Sequence, residues 1–170
     1  MNVPQHRSPE ARPKVSVIPA EQAESFAILR RPQAQSDQLP ASYWEAFEEG
    51  LIGRLGLNPA FARRAMTQLG DAWVVPGNGY LGLYVGGMAC DRTEVAASRG
   101  IVTWTSERSG LQDLVHGLVP DGVAEVTLLA ANNASAKGFV DENVYGAVLE
   151  GRFRSGRFFG PTGTVQFGLR

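Results

Sequence analysis

The sequence predicts an α+β fold: a short helical hairpin packed on an antiparallel β-sheet or small β-sandwich, preceded by a flexible N-terminal arm. Three observations lead there. Apolar residues recur at spacings of three and four between Ser42 and Leu69. From Trp73 onward the period drops to two and turn residues come at short intervals. No helical pattern of ten or more residues separates the later strands, and parallel strands need such a crossover. A chain of 170 residues suits one domain, which at this size buries roughly 70% of its unfolded surface.

Residues 1–25 hold four prolines, mixed charge and little apolar periodicity. Such a segment buries too little surface to offset the entropy of ordering, so it reads as a flexible arm ahead of a single domain at 26–170. Phe26, Ile28 and Leu29 then form an apolar cluster before Arg30, Arg31 and Pro32, a short strand or clamp lying on the domain. The helices are expected at about 42–69. Ser42 and Glu45 have capping-box spacing, and Trp44, Phe47, Leu51 and Leu55 share one face. Asn58 before Pro59 reads as the N-cap of a second helix through Phe61, Ala62, Ala65, Met66 and Leu69, ended by Gly70.

The β-rich part is expected at about 71–169. "AWVVPGNGYLGLYVG" reads as a hairpin connected by Pro76 to Gly79, followed by "GIVTWTS", "DLVHGLV", "VAEVTLLAA", "ASAKGFV", "NVYGAVL" and "TVQFGL". In "VPDGVAEVTL" the Pro-Asp-Gly order makes a tight turn. Ala124, Val126, Leu128 and Ala130 should then face the core, opposite Val123, Glu125, Thr127 and Leu129. Asp121, Asp141 and Glu142 fall where strands reverse and read as turn residues, not as a calcium or catalytic site. Trp44, Trp73 and Trp104 are expected in the core.

In this order, "FAILRRPQAQSDQLP", "NPAFARRAM", "WVVPGNGYLGLYV", "GLVPDGVAEVTL" and "VDENVYGAVL" resemble an uncharacterised family of actinobacterial proteins over roughly residues 26–150. The family has no established activity. The resemblance implies a β-rich module placed after a leader or membrane anchor, and hence an extracytoplasmic or envelope location. Relatives also hold two cysteines around the segment after the PGNG-like turn, where this chain has Cys90 alone.

Composition narrows the function. A net charge of -1 sets up no field that would draw a polyanion, which argues against general nucleic-acid or anionic-membrane binding. The single cysteine rules out an intrachain disulfide. No window approaches the roughly 18 apolar residues of a membrane span, and the N-terminal stretch lacks the apolar run of a secretory signal. With only Cys90, His6 and His116 as soft ligands, neither a transition-metal site nor a cofactor is expected. Phosphate-loop and dinucleotide signatures are missing.

Three candidate roles remain. The sequence favours a non-catalytic interaction module with another protein as its partner. Its binding residues would be Arg152, Phe153, Arg154, Arg157 and Phe158 in "GRFRSGRFFG", read as an edge strand and loop. One alternative is a small thiol hydrolase pairing Cys90 with His116 and Asp113. The other is weak nucleic-acid binding, with Arg152, Arg154 and Arg157 on phosphates and the interleaved phenylalanines stacking on bases.

Overall fold

A computed structural model describes residues 11–43 and 53–168. Among the described residues, the short helices α1 (Ala20–Ser25), α2 (Ala27–Arg30) and α3 (Thr93–Arg99) accompany eleven strands. These are β1 (Arg63–Thr67), β2 (Gly70–Pro76), β3 (Tyr80–Tyr84), β4 (Met88–Arg92), β5 (Ile101–Ser106), β6 (Gln112–Leu118), β7 (Glu125–Ala130), β8 (Ser135–Phe139), β9 (Val144–Glu150), β10 (Phe153–Gly160) and β11 (Gly163–Gly168). All named strand pairs are antiparallel. They form a meander β1-β2-β3-β4, a central sheet β5-β6-β9 and an outer sheet β11-β10-β7-β8. The predicted class, few short helices with antiparallel sheets, is the one observed.

Alternation decides how the layers stack. Val115, Tyr145, Ala147 and Leu149 from the central sheet meet Val126, Leu128, Ala130, Phe153 and Phe158 from the outer sheet in one core, and these two sheets make the sandwich. The opposite face of the central sheet contributes Ile101, Leu118 and Val144 to a second core. That core is completed by Ala65, Ala72, Val74, Leu81 and Leu83 of the meander, with Phe26, Ile28 and Leu29 of the N-terminal segment and Ala96 of α3. A third cluster, with Leu39, Leu57, Trp73, Val75 and Tyr84, covers the far face of the meander. Val126, Leu128 and Ala130 point inward as the period-two pattern requires, while Ala124 is exposed. Trp73 is buried and Trp104 is half-buried against Phe153, with ring centroids 5.0 Å apart.

Within the sandwich core, Tyr145 lies over two glycines. A Cβ built at Gly117 would sit 2.3 Å from the Tyr145 ring, and one at Gly138 would sit 2.7 Å from it. Only glycine leaves room for a ring this close to the backbone of β6 and β8.

In three places the structure differs from the expectation. The second helix, predicted from Asn58 to Leu69, lasts one 3-10 turn, Pro59–Phe61. Asn58 does cap it, accepting from the Ala60 N–H at 3.0 Å. The chain then enters β1, where Arg63 and Ala65 are buried and pairing with Val74 and Ala72 replaces helical hydrogen bonds. The first predicted helix falls mainly on residues 44–52, with Trp44, outside the described residues. Second, the part of the predicted arm at 11–25 is packed on the domain: Arg12 bridges to Leu55, and α1 buries Gln22 completely. Third, the Arg/Phe segment is not an edge. β10 lies between β11 and β7 and is paired on both sides.

The N-terminal segment is anchored by polar groups as much as by apolar ones. Gln22 Nε2 lies within hydrogen-bonding reach of the Gly77 and Tyr80 carbonyls and Thr93 Oγ1, which ties α1 to the β2–β3 hairpin. No side chain of its own caps α2. Instead Asp121 Oδ1 accepts from the Ala27 N–H at 2.7 Å and Asn143 Oδ1 accepts from the Ile28 N–H at 2.9 Å. The free donors at this helix start are therefore satisfied from across the fold. Ordering four backbone residues costs roughly 4–8 kcal/mol at 1–2 each, about what burying three large apolar side chains returns. Those distant acceptors decide that α2 stays docked.

Candidate functional site

The three members of the predicted thiol hydrolase lie apart. Cys90 pairs across β3–β4 with Gly82 and packs on the Trp73–Tyr84 cluster, the face of the meander turned away from the central sheet. His116 projects from the opposite direction. It pairs with Thr103 in register with the Ile101–Leu118 pair, on the central-sheet face that looks toward the meander. The meander itself separates thiol from imidazole. Asp113 is three residues from His116 on the same strand, so it faces the other way.

The local environments suit structural roles. Burial, followed by the neighbouring Asp91 carboxylate, pushes the Cys90 thiol up to about 11, so it is protonated at neutral pH. Burial also lowers the His116 pKa, which keeps the imidazole neutral. It lines a small hollow of about 260 Å³ with Thr103, Thr105 and the Gly86–Gly87 turn. Asp113 is 1% exposed and has other partners: Ser106 Oγ donates to Oδ1 at 2.7 Å and the Phe153 N–H donates to Oδ2 at 2.6 Å. Arg152 donates to Ser106 Oγ and stands 3.6 Å from Asp113. This cluster fastens β5, β6 and the start of β10 together.

The predicted binding segment divides between two faces. Phe153 and Phe158 are 4% and 3% exposed and belong to the sandwich core. Arg152 is held beside Asp113. Neither phenylalanine is available for a partner, because β10 alternates and a register shift between Phe153 and Ser155 puts both on the inner side. Arg154 and Arg157 remain exposed.

What sequence reasoning missed is the outward face of the outer sheet. Phe159 is 75% exposed and Phe139 is 61% exposed. Phe139 pairs with Glu125 on β8–β7, and Phe159 follows the Phe158–Val126 pair on β10–β7, so both rings flank Glu125. Two inter-strand spacings put them roughly 10 Å apart. Lys137 Nζ donates to Glu125 at 2.9 Å, and Arg157 stands in register with Thr127 on one side and Gln166 on the other. A shallow depression of about 390 Å³ runs along Glu125, Thr127, Arg157, Phe159 and Thr164. The signal was present in the alternation: once Phe158 is inward, Phe159 must be outward.

Asp121 and Glu142, read as turn residues, also hold the N-terminal segment. Arg30 Nη2 donates to Asp121 Oδ2 at 2.7 Å and Arg31 Nε donates to Glu142 at 2.8 Å. Among the described residues no group of three or more His, Cys, Asp or Glu side chains could hold a metal ion, and no helix is long and apolar enough to cross a membrane.

Fold and surface together define a β-rich module built of a two-sheet sandwich with an added meander, carrying an aromatic and charged outer face. Comparison with protein-family models, with curated proteins and with solved structures returned no match.

Proposed function

We propose that the protein is a non-catalytic interaction module that docks a protein partner on the outward face of β11-β10-β7-β8. The observation that carries this reading is the pair of exposed phenylalanines, Phe139 on β8 and Phe159 on β10, held on either side of β7 on one outward face. A large ring left in water on a rigid strand costs hydrophobic free energy that covering it would recover. Aromatic anchors ringed by polar groups are the usual centre of a binding patch. Lys137, Glu125 and Arg157 supply such a ring here. The separation of Cys90 from His116 and the raised pKa of the thiol weigh against the hydrolase alternative. An envelope-associated partner fits the family resemblance and belongs to the same proposal.

Photo-cross-linking tests it. A benzoylphenylalanine at position 159, introduced in cells of the native source, should capture a defined protein, whereas the same probe at the exposed Val17 should not. A combined Phe139→Ser and Phe159→Ser variant should lose that partner while melting at the wild-type temperature. Capture unchanged in the double variant, or hydrolysis of an ester or peptide substrate abolished by His116→Ala, would sink the reading.

A further inference from the structure

A different part of the molecule, between α1, α3 and the β10–β11 turn, is also open to solvent. There the chain leaves an open groove of about 500 Å³, within the roughly 300–1,000 Å³ of sites that hold a small ligand or a few side chains. Its apolar surface comes from Ala97, Pro120, Pro161 and Val165. Its charge is of one sign. Glu24 on the α1 side and Glu94 on the α3 side line it, with Asp121 between them, and no lysine or arginine does. Asp121 is compensated by Arg30 at 2.7 Å. Neither Glu24 nor Glu94 has an ion-pair partner among the described residues.

We infer that this groove binds a short basic segment of a protein partner, an apolar side chain seated on Ala97, Pro120 and Val165 with Lys or Arg reaching Glu24 and Glu94. Charge complementarity selects the occupant. An anionic segment would be repelled by two uncompensated carboxylates, and a purely apolar one would leave them without counter-charge beside a desolvated surface. A cation on an apolar stem satisfies both, because the stems of Lys and Arg cover apolar surface while their heads stay with the carboxylates. The groove shares only the buried Phe158 with the depression on the Phe139–Phe159 face and neither exposed ring, so the inference does not depend on the proposal for that face.

The probe is the peptide Ac-Leu-Lys-Val-Arg-Leu-NH₂, with Ac-Leu-Glu-Val-Glu-Leu-NH₂ as its charge-reversed control, titrated into the ¹⁵N-labelled full chain. The basic peptide should shift amides in residues 94–98 and 160–165, and the acidic one should leave them unmoved. Glu24→Gln with Glu94→Gln should weaken binding by about fivefold or more, with an unchanged melting temperature since both side chains are exposed. Phe139→Ser with Phe159→Ser should leave it intact. The inference fails if the acidic peptide binds equally, if the glutamine pair changes nothing, if hexylamine alone binds as tightly as the peptide, or if no shift is seen up to about 1 mM.

Discussion

Asn143 and Asp121 share a hydrogen bond of 2.9 Å, Asn143 Nδ2 donating to Oδ1, and the same two side chains receive the first N–H groups of α2. Asn143 also donates to the Val119 carbonyl at 3.1 Å. Its backbone has a φ of 70°, in the left-handed region that asparagine tolerates better than most residues. Asn143→Ala should therefore destabilise the domain by about 3 kcal/mol, from buried groups left unpaired and from backbone strain. Asn143→Gly, which keeps the conformation and loses only the side chain, should cost about 1 kcal/mol less. Urea midpoints of the two variants measure the difference, and equal losses would show that the conformation contributes nothing.

Asp37 is the other polar hub. Its carboxylate is buried, which alone would raise its pKa. It also accepts from Arg31 through two nitrogens, each at 2.8 Å, from the Ala34 N–H at 2.6 Å and from the Arg64 N–H at 2.8 Å. These donors outweigh burial and hold the group at about 2, below the ordinary 3.8. Because the folded value is the lower one, the stabilisation is complete above the unfolded pKa and is lost as pH falls from about 4 toward 2. Asp37→Asn should cost about 2 kcal/mol at neutral pH, and the gap from wild type should narrow as acid is added. Denaturation midpoints at pH 7, 4 and 3 follow it; a constant gap would contradict the carboxylate's role.

The Tyr145 hydroxyl is fully buried with no hydrogen-bond partner among the described residues, and burial pushes its pKa upward. An unpaired hydroxyl in a core costs about 1–3 kcal/mol. Tyr145→Phe should leave the protein as stable as wild type or more so, whereas Gly117→Ala, which forces a methyl into the ring, should lower stability by about 3 kcal/mol or prevent folding. Calorimetry on Tyr145→Phe decides this, since a clear loss would mean the hydroxyl is satisfied after all.

Cys90 should alkylate slowly with iodoacetamide at pH 7.5, the rate rising only as pH climbs toward the raised value of about 11. Mass spectrometry of the modified fraction against pH gives the curve. Rapid labelling at neutral pH would point to a thiolate.

Most strands were legible because their residues alternate between water and a core, as in β7, where Val126, Leu128 and Ala130 are inward. The β2–β3 connection at Pro76–Gly79 was legible for the same reason that it works, turn chemistry written in four residues. The stretch after Asn58 was misread because "AFARRAM" satisfies helical spacing and strand alternation alike, and pairing with β2 decides between them. Gln22 and Asn143 could not be found in advance. Their bonds join residues far apart in sequence, which no local pattern records. The outer face is half legible: of the predicted binding residues Arg152, Arg154 and Arg157 are exposed while Phe153 and Phe158 are inward, and the outward ring is the neighbouring Phe159.

The acceptors that cap α2 lie 94 and 115 residues further along the chain. On a ribosome the first helices are thus made long before the caps of α2 exist, and translation must reach Asn143 before both of those acceptors can close on it. Closure of this fold is a late event in synthesis, and any product cut short before that point lacks Val144 and leaves the core around Phe26, Ile28 and Leu29 incomplete, open to aggregation or to capture by a chaperone.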